Sequence, residues 1–559
     1  MNKQCAKCNK TFQITDQDLA FYKKIDVPMP THCLDCRMIN LMCWRNERVF
    51  YTNQCAWCRQ SVISCFNKKV TFPILCNDCW WSEKFNPLTY GREIDFNKPF
   101  FEQLKTLINE APVGNLFIAS SENSKYTNLC VGNKNCYMVT ASDYNENAYY
   151  LDNCNYNRDV IDLGFSHHNE LCYECIDCEY CYNCMYSQNS RHCNYCYFCI
   201  DSSGLTNCVG CIGIKNDTYK IFNKQYSQEE YEQKLATLAL NTYTGREKFK
   251  SEFMEFILKY PRRFASVEQC EDSTGNYLKR SSNCKHSFDL EACENCSYTI
   301  FGNNAKDCLD VYGATGNELG YYSCALPENN RIFFSAIIWP GSSDVYYSYL
   351  CRTAQHCFGC VSLHNNKYCI LNKQYSEHDY KQLKFKLIKH MQKTGEWGEF
   401  MPMDISPWAY NETIANDYYP KNKDEISRLN GKWEDTLPGS YHQETLTMDK
   451  LPNAIKEVSD VMLEAVLSCM NCSRNFRIIK HELTFYRNLN IPLPRLCSTC
   501  RYIIRKKLRN PRQLWQRRCM CTQPDHNHQG RCATEFETTY SPDRKELIYC
   551  EDCYQKEIY

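Results

Sequence analysis

Cysteine is the residue best placed to do chemistry in this chain, holding 42 of 559 positions. Cys5 and Cys8, with Cys33 and Cys36, form two C-x-x-C pairs. A pair at that spacing can turn both thiolates toward one ion, and four sulfurs in a tetrahedron are a zinc set. All four recur 464 residues later as Cys469, Cys472, Cys497 and Cys500, together with Phe12, Leu19, Phe21, Tyr22, Pro28, Pro30 and Arg37. Cys55, Cys58, Cys76 and Cys79 make a third complete set, leaving Cys65 spare and better suited to burial. The last set draws four ligands from Cys519, Cys521, Cys532, Cys550 and Cys553, with His526 or His528 as rivals. About four zinc ions are therefore expected. No set shows three ligands beside a carboxylate base, the pattern of a water-activating zinc, so the metal is expected to be structural. The short apolar stretches between the pairs are too small to fold unaided, and metal would supply the missing stability.

Disulfides are the competing use of these thiols. The first residues lack an apolar leader and nowhere do 18 apolar residues run together, so a cytoplasmic protein with no membrane partner is expected, and thiols there stay reduced. Lys and Arg balance Asp and Glu at 65 each. Any attraction to a polyanion must then be local.

One local patch exists. RYIIRKKLRNPRQLWQRR (501–518) holds Arg501, Arg505, Lys506, Lys507, Arg509, Arg512, Arg517 and Arg518 with no acid. Read as a helix up to Pro511, it sets Arg501, Arg505 and Arg509 on one stripe. Like charges so spaced destabilise a bare helix, which a phosphate backbone would relieve. Tyr502 and Trp515 could stack on bases, so DNA or RNA is the partner expected. The alternative is a basic face balanced by acids folded nearby.

The elements between the ends also repeat. NCVGCIGIKNDTYKIFNKQYSQEEY (207–231) matches HCFGCVSLHNNKYCILNKQYSEHDY (356–380) at an offset of 149. Each copy closes on a helix, because Ser227 with Glu230 and Ser376 with Asp379 are capping pairs. Upstream of each, short Val, Ile, Tyr, Phe and Cys runs separated by Asn, Asp, Gly and Ser read as strands. Cys136, Cys154 and Cys172 stand 18 apart, which suggests stacked coils with an inner cysteine ladder. CYECIDCEYCYNC sets Cys172, Cys175, Cys178, Cys181 and Cys184 at steps of three. Either corners turn them all inward or some bind metal, an added zinc or an iron–sulfur cluster. The fourth gap and the missing Pro depart from a ferredoxin run. Asp159, Asp162 and Asp310 with Tyr312 sit where carbohydrate-active carboxylates could lie, though exposed turn residues are the commoner explanation. No P-loop, G-x-S-x-G or H-E-x-x-H is present, so the reading leans away from an enzyme.

Residues 5–37 and 469–501 resemble small treble-clef or zinc-ribbon domains: C-x-x-C, an aromatic, F-Y, prolines, C-x-x-C-R. That likeness implies zinc ligation by Cys5, Cys8, Cys33, Cys36, Cys469, Cys472, Cys497 and Cys500. Over nearly the full length, CWWSEKFNPLTYGREIDF, NKQYSQEEY, GEWGEFMPMDISPWAYNETIANDYYP and YCEDCY resemble an uncharacterised Cys-rich multi-zinc family of uncultured small-celled bacteria.

The expected fold is mainly β with short helices: two β-solenoid, parallel β-helix-like modules bracketed by paired treble-clef or zinc-ribbon modules. The boundaries are 1–50 and 51–94 for the first two zinc modules, 95–245 and 246–400 for the solenoids, 401–465 for a connector anchored by Trp408, Tyr418, Tyr419 and Trp433, and 466–510 and 511–559 for the last two zinc modules. The expected function is non-enzymatic zinc binding with nucleic acid held by 501–518. The alternative is a scaffold or glycan-binding solenoid with purely structural zinc.

Overall fold

The computed structural model describes residues 1–176, 178 and 181–558. It is a mixed α/β protein of many short strands and mostly short helices, which corrects the mainly β expectation. Ser227 Oγ accepts from Glu230 N–H and opens Gln228–Thr237; Ser376 Oγ accepts from Asp379 N–H and opens Glu377–Thr394, which Gly395 ends in the left-handed region. A further helix, Tyr243–Phe256, carries no such capping pair in its sequence.

Two long stretches, 118–221 and 267–370, stack the chain on itself in parallel. Glu146 pairs with Arg158, Tyr173 with Met185 and Phe288 with Ile300, each twelve residues on. In the second stack eleven strands, Val267–Glu268 to Lys373–Gln374, form one sheet, parallel except for its final pair. One step there is thirteen, Asn330 against Ser343. The stacking step is therefore twelve, not the 18 read from cysteine spacing.

The backbone explains why cysteines three apart can all face inward. Every third residue turns left-handed: Asn147, Tyr150, Asn153, Tyr156, Asp159, Asp162 and Phe165 have φ between 51° and 61°. Each such turn costs a side-chain-bearing residue about 1 kcal/mol, and interlayer bonds such as Tyr150 N–H to Tyr137 O, 3.0 Å, offset it. The residue after each turn points inward, giving a core of Cys130, Cys136, Val139, Ala148, Leu151, Cys154 and so on up to Cys211. The second stack is built the same way around Cys284, Leu290, Cys308, Val311 and Cys357.

Modules 1 and 2 dock on the second stack, where Tyr22 meets Tyr321 at 5.7 Å and Trp80 meets His364 at 4.7 Å. Module 3 docks on the first, with Tyr486 5.8 Å from Tyr173. The docking is therefore crossed. Modules 2 and 4 each add a parallel strand pair, Ile74–Leu75 with Val113–Gly114 and Leu547–Tyr549 with Pro261–Arg263. The connector's Trp408 lies flat on Phe66, at 5.3 Å and 5°, and donates Nε1–H to Cys65 O. Tyr418 lies under Lys506 and Arg512, while Tyr419 and Trp433 pack against the main core. No helix among the described residues is long and apolar enough to cross a membrane.

Candidate metal centres

Modules 1, 2 and 3 each bring one C-x-x-C from a hairpin turn to one at a helix start, and module 4 brings Cys519 and Cys532 to Cys550 and Cys553. Asn9, Arg59 and Ser473, each just past its second cysteine, adopt positive φ. That lets their N–H groups close on the carbonyls of Cys5, Cys55 and Cys469 at 3.0, 3.0 and 2.9 Å. Cys33, Cys76 and Cys497 are the residues before helices Leu34–Met42, Asn77–Trp81 and Ser498–Leu508. Burial pushes these thiols up, Cys33 to about 11, Cys76 to about 12 and Cys497 likewise upward, against the opposing pull of the helix-start N–H groups of Cys36, Cys79 and Cys500.

Four tetra-cysteine groups result: Cys5, Cys8, Cys33, Cys36; Cys55, Cys58, Cys76, Cys79; Cys469, Cys472, Cys497, Cys500; and Cys519, Cys532, Cys550, Cys553. In each, all four sulfurs lie within 4.8 Å of one another. Sulfurs on one tetrahedral ion would stand about 3.8 Å apart. Cys8 and Cys33 are 3.5 Å apart, Cys58 and Cys76 3.6 Å, Cys472 and Cys497 3.7 Å, Cys532 and Cys550 4.0 Å. The donor sets thus fit a metal ion. In every group one thiol is acidic. Burial opposes ionisation of Cys5, but N–H groups of Cys33, Cys8 and Lys7 aimed at its sulfur bring the pKa down to about 6; Cys55 and Cys469 reach about 6 and 7 by the same kind of bonding, and Cys532, against burial, reaches about 6 through the hydroxyl and then the N–H of Thr534. Cys521 lies outside the last tetra-cysteine group, with its sulfur 3.1 Å from His526 Nδ1. Cys65 is buried, and burial pushes its thiol up.

The inward cysteines of the stacks behave differently. Cys172 Sγ points at the carbonyls of Glu170 and Cys181, at 3.2 and 3.4 Å, and Cys130 Sγ at those of Asn128 and Val139. Serines at equivalent places do the same, as Ser190 does with Gln188 and Cys199. These thiols act as small core side chains with a weak donor, and burial raises the Cys154 pKa to about 12.

The basic segment is largely neutralised from within. Arg501 Nε and Arg505 reach the two oxygens of Asp162 at 2.8 Å each, and Arg501 also meets Glu482 at 3.3 Å. Arg509 and Arg512 share Asp289, and Lys506 lies 3.3 Å from Asp417 and above the Tyr418 ring. Arg517 and Arg518 donate to Ser541 O and Cys532 O, and Lys507 faces solvent. Helix Ser498–Leu508 stops before Pro511 as expected, but Trp515–Arg518 is a strand. Tyr502 is buried, its hydroxyl on Asp417 and Arg48 over its ring.

Asp162 and Asp310 are not the exposed turn residues expected. Both are fully buried counter-ions. Arg37 donates to Asp310 from Nε and NH2 at 2.8 and 3.0 Å. Burial pushes the Asp310 carboxyl above its ordinary range, and Arg37 opposes that rise. The two ends match residue for residue: adding 464 takes Asp18, Tyr22 and Arg37 to Glu482, Tyr486 and Arg501, while subtracting 148 takes Tyr298, Asp310 and Tyr321 to Tyr150, Asp162 and Tyr173. The acids Asp18 and Glu482 differ by one methylene, and Asp162 has Arg505 as a second partner where the first copy carries Leu41. Glu482 spans to Tyr150, Tyr486 and Arg501, whereas Asp18 stays on its helix cap and on Tyr298, beside a cavity of about 210 Å³ lined by Phe12, Leu34 and His286.

At the module 2 interface His364 is wedged against Trp80 and Phe85. Burial, then the Arg352 charge, lowers its pKa from 6.5 to about 3. The unfolded chain takes up this proton below about 6.5 and the folded one does not. Stability from this site is thus present above pH 6.5 and falls by about 2 kcal/mol between pH 6.5 and 5. Urea unfolding of His364→Phe at those two pH values should show that much less acid sensitivity; identical slopes in the two proteins would refute it.

No protein-family model matches this chain, and neither does any curated protein.

Proposed function

We propose that this chain is a non-enzymatic scaffold: two β-solenoids of twelve-residue coils, latched to one another by structural zinc modules at both ends. The observation that carries the reading is the duplicated buried ion pair, Arg37 with Asp310 and Arg501 with Asp162, at the foot of each zinc helix. A module held by such a pair is a clamp, and crossed docking makes the two clamps tie the halves together. Zinc is the metal that four thiolates in a closed tetrahedron select, with no open position for chemistry.

The scaffold form of the reading is favoured over a glycan-binding form. The exposed column Tyr144, Tyr156, His168 stacks its rings face to face, at 5.3 Å and 9° and then 5.0 Å and 2°. The ring faces they turn to one another are closed to a sugar. It is also favoured over nucleic-acid binding, because Arg501, Arg505, Lys506, Arg509 and Arg512 already face carboxylates. Fluorescence anisotropy with labelled single- and double-stranded DNA and RNA at about 50 mM salt tests this. No saturation below about 10⁻⁴ M, the weak end of non-specific binding, is the expected result. Saturable micromolar binding that weakens steeply with salt and is lost in Lys507→Glu/Arg518→Glu would overturn the scaffold.

A further inference from the structure

Module 4 departs from module 2 at one place. Cys55 and Cys58 are three residues apart, but their counterparts Cys519 and Cys532 are thirteen apart. The flanking strands still correspond, Tyr51–Gln54 with Trp515–Arg518 and Ser61–Ser64 with Glu535–Thr538. Cys76 N–H donates to Cys55 Sγ at 3.2 Å, and Cys550 N–H to Cys519 Sγ at 3.2 Å. The tetra-cysteine geometry thus survives a ten-residue enlargement of the knuckle. The enlarged segment holds Cys521, His526 and His528.

We propose that this segment builds a second metal site, in which Cys521, His526 and His528 bind one further zinc ion and Cys553 bridges it to the ion of the tetra-cysteine group. The four ligand atoms lie within 4.8 Å of one another. Cys521 Sγ is 3.1 Å from His526 Nδ1, and Cys553 Sγ is 3.4 Å from His528 Nε2. A sulfur and a nitrogen on one tetrahedral zinc would be about 3.5 Å apart. A thiol–imidazole hydrogen bond accounts for either pair alone but not for the convergence of both. The outer shell is also in place: His528 Nδ1 lies 2.9 Å from Gly530 O, which frees Nε2 as a ligand, and the far nitrogen of His526 lies 3.9 Å from the Glu557 carboxylate. Such partners fix tautomer and orientation around a bound metal. His526 is 5 % exposed and Cys521 fully buried, in a stretch with no helix or strand of its own. In an irregular loop that is otherwise mostly exposed, Cys521 and His526 are turned inward beside Cys532, where an organising centre would sit.

The inference rests on the zinc reading of the tetra-cysteine groups, and one count separates the two. Elemental analysis of the intact chain purified with zinc should give five ions, and His526→Ala/His528→Ala four. Four ions in both proteins would overturn the bridged site while leaving the tetra-cysteine reading intact; fewer than four in the natural chain would overturn that reading itself. Cobalt titration of the natural, metal-stripped and refolded chain needs no variant. A fifth equivalent that changes the visible spectrum toward a mixed nitrogen–sulfur band supports the second site, and saturation at four equivalents overturns it.

Discussion

Cys36→Ser is expected to release one zinc ion and unfold module 1 outright at 25 °C, freeing the face of the second stack that it covers. A structural zinc supplies on the order of 10 kcal/mol of folding free energy, against roughly 5–15 kcal/mol for an entire domain. The rest of what holds module 1 is its docking, the Arg37–Asp310 pair and the apolar face of its helices, which needs the helices formed. Its helices Asp16–Ile25 and Leu34–Met42 are too short to be stable alone, and Tyr22, Met38 and Leu41 are buried only because the cysteine knuckles hold those helices against the second stack. Losing the ion therefore removes docking as well as local order. Hydrogen exchange should show protection lost over residues 2–42 and over Leu309–Thr315 and Glu318–Cys324, the strands beneath, while the first stack keeps its protection. A strong chelator applied to the natural chain should extend that loss to modules 2, 3 and 4. A Cys36→Ser protein with natural exchange rates in module 1 would show that metal is not what folds it.

How far this arrangement is legible in the sequence depends on the distance over which its cause acts. The knuckles are legible because a ligand pair is local, and the 464-residue repeat marks them twice. The caps at Ser227 and Ser376 are legible for the same reason. The stacking step is not. Inward positions recur every third residue and accept Cys, Ser, Asn, Ala, Val or Leu alike, so cysteines 18 apart are in phase with the interior without sharing a layer. The turns that make this possible fall on Tyr, Phe, Leu and Asp as readily as on Gly, and no residue type announces them. The counter-ions of the basic stripe are least legible of all, since Asp162 is 343 residues from Arg505. A signal did exist: Arg37 repeats as Arg501 although it is not a knuckle residue, and Asp310 repeats as Asp162. A charge kept outside the metal set, matched by an acid kept in the stack, is the trace of a buried pair.

That pair sets the second large effect. Arg501→Met should destabilise the protein by about 3–5 kcal/mol, because it leaves Glu482 buried with no cation and Asp162 with Arg505 as its one remaining partner. Arg37→Met should act similarly at Asp310, where both pair members are at most 4 % exposed. The contrast with the surface is the diagnostic part. Lys507→Met, on the same helix but facing solvent, should change stability by less than about 0.5 kcal/mol. If the stripe served a polyanion instead, Arg501 and Lys507 would weigh alike and neither would weigh much on folding. A double-mutant cycle sharpens this. Removing the acid along with the cation, as Arg501→Met with Glu482→Gln, takes away the unpaired charge while Asp162 keeps Arg505, and should recover much of the loss, since a buried pair is often worth little more than neutral groups of its own size. Chemical unfolding of the four proteins measures the coupling directly. Additive losses, with no recovery in the combined variant, would mean that Arg501 stabilises the interface by packing against Tyr150 rather than by neutralising Glu482, and the latch would then be apolar rather than ionic.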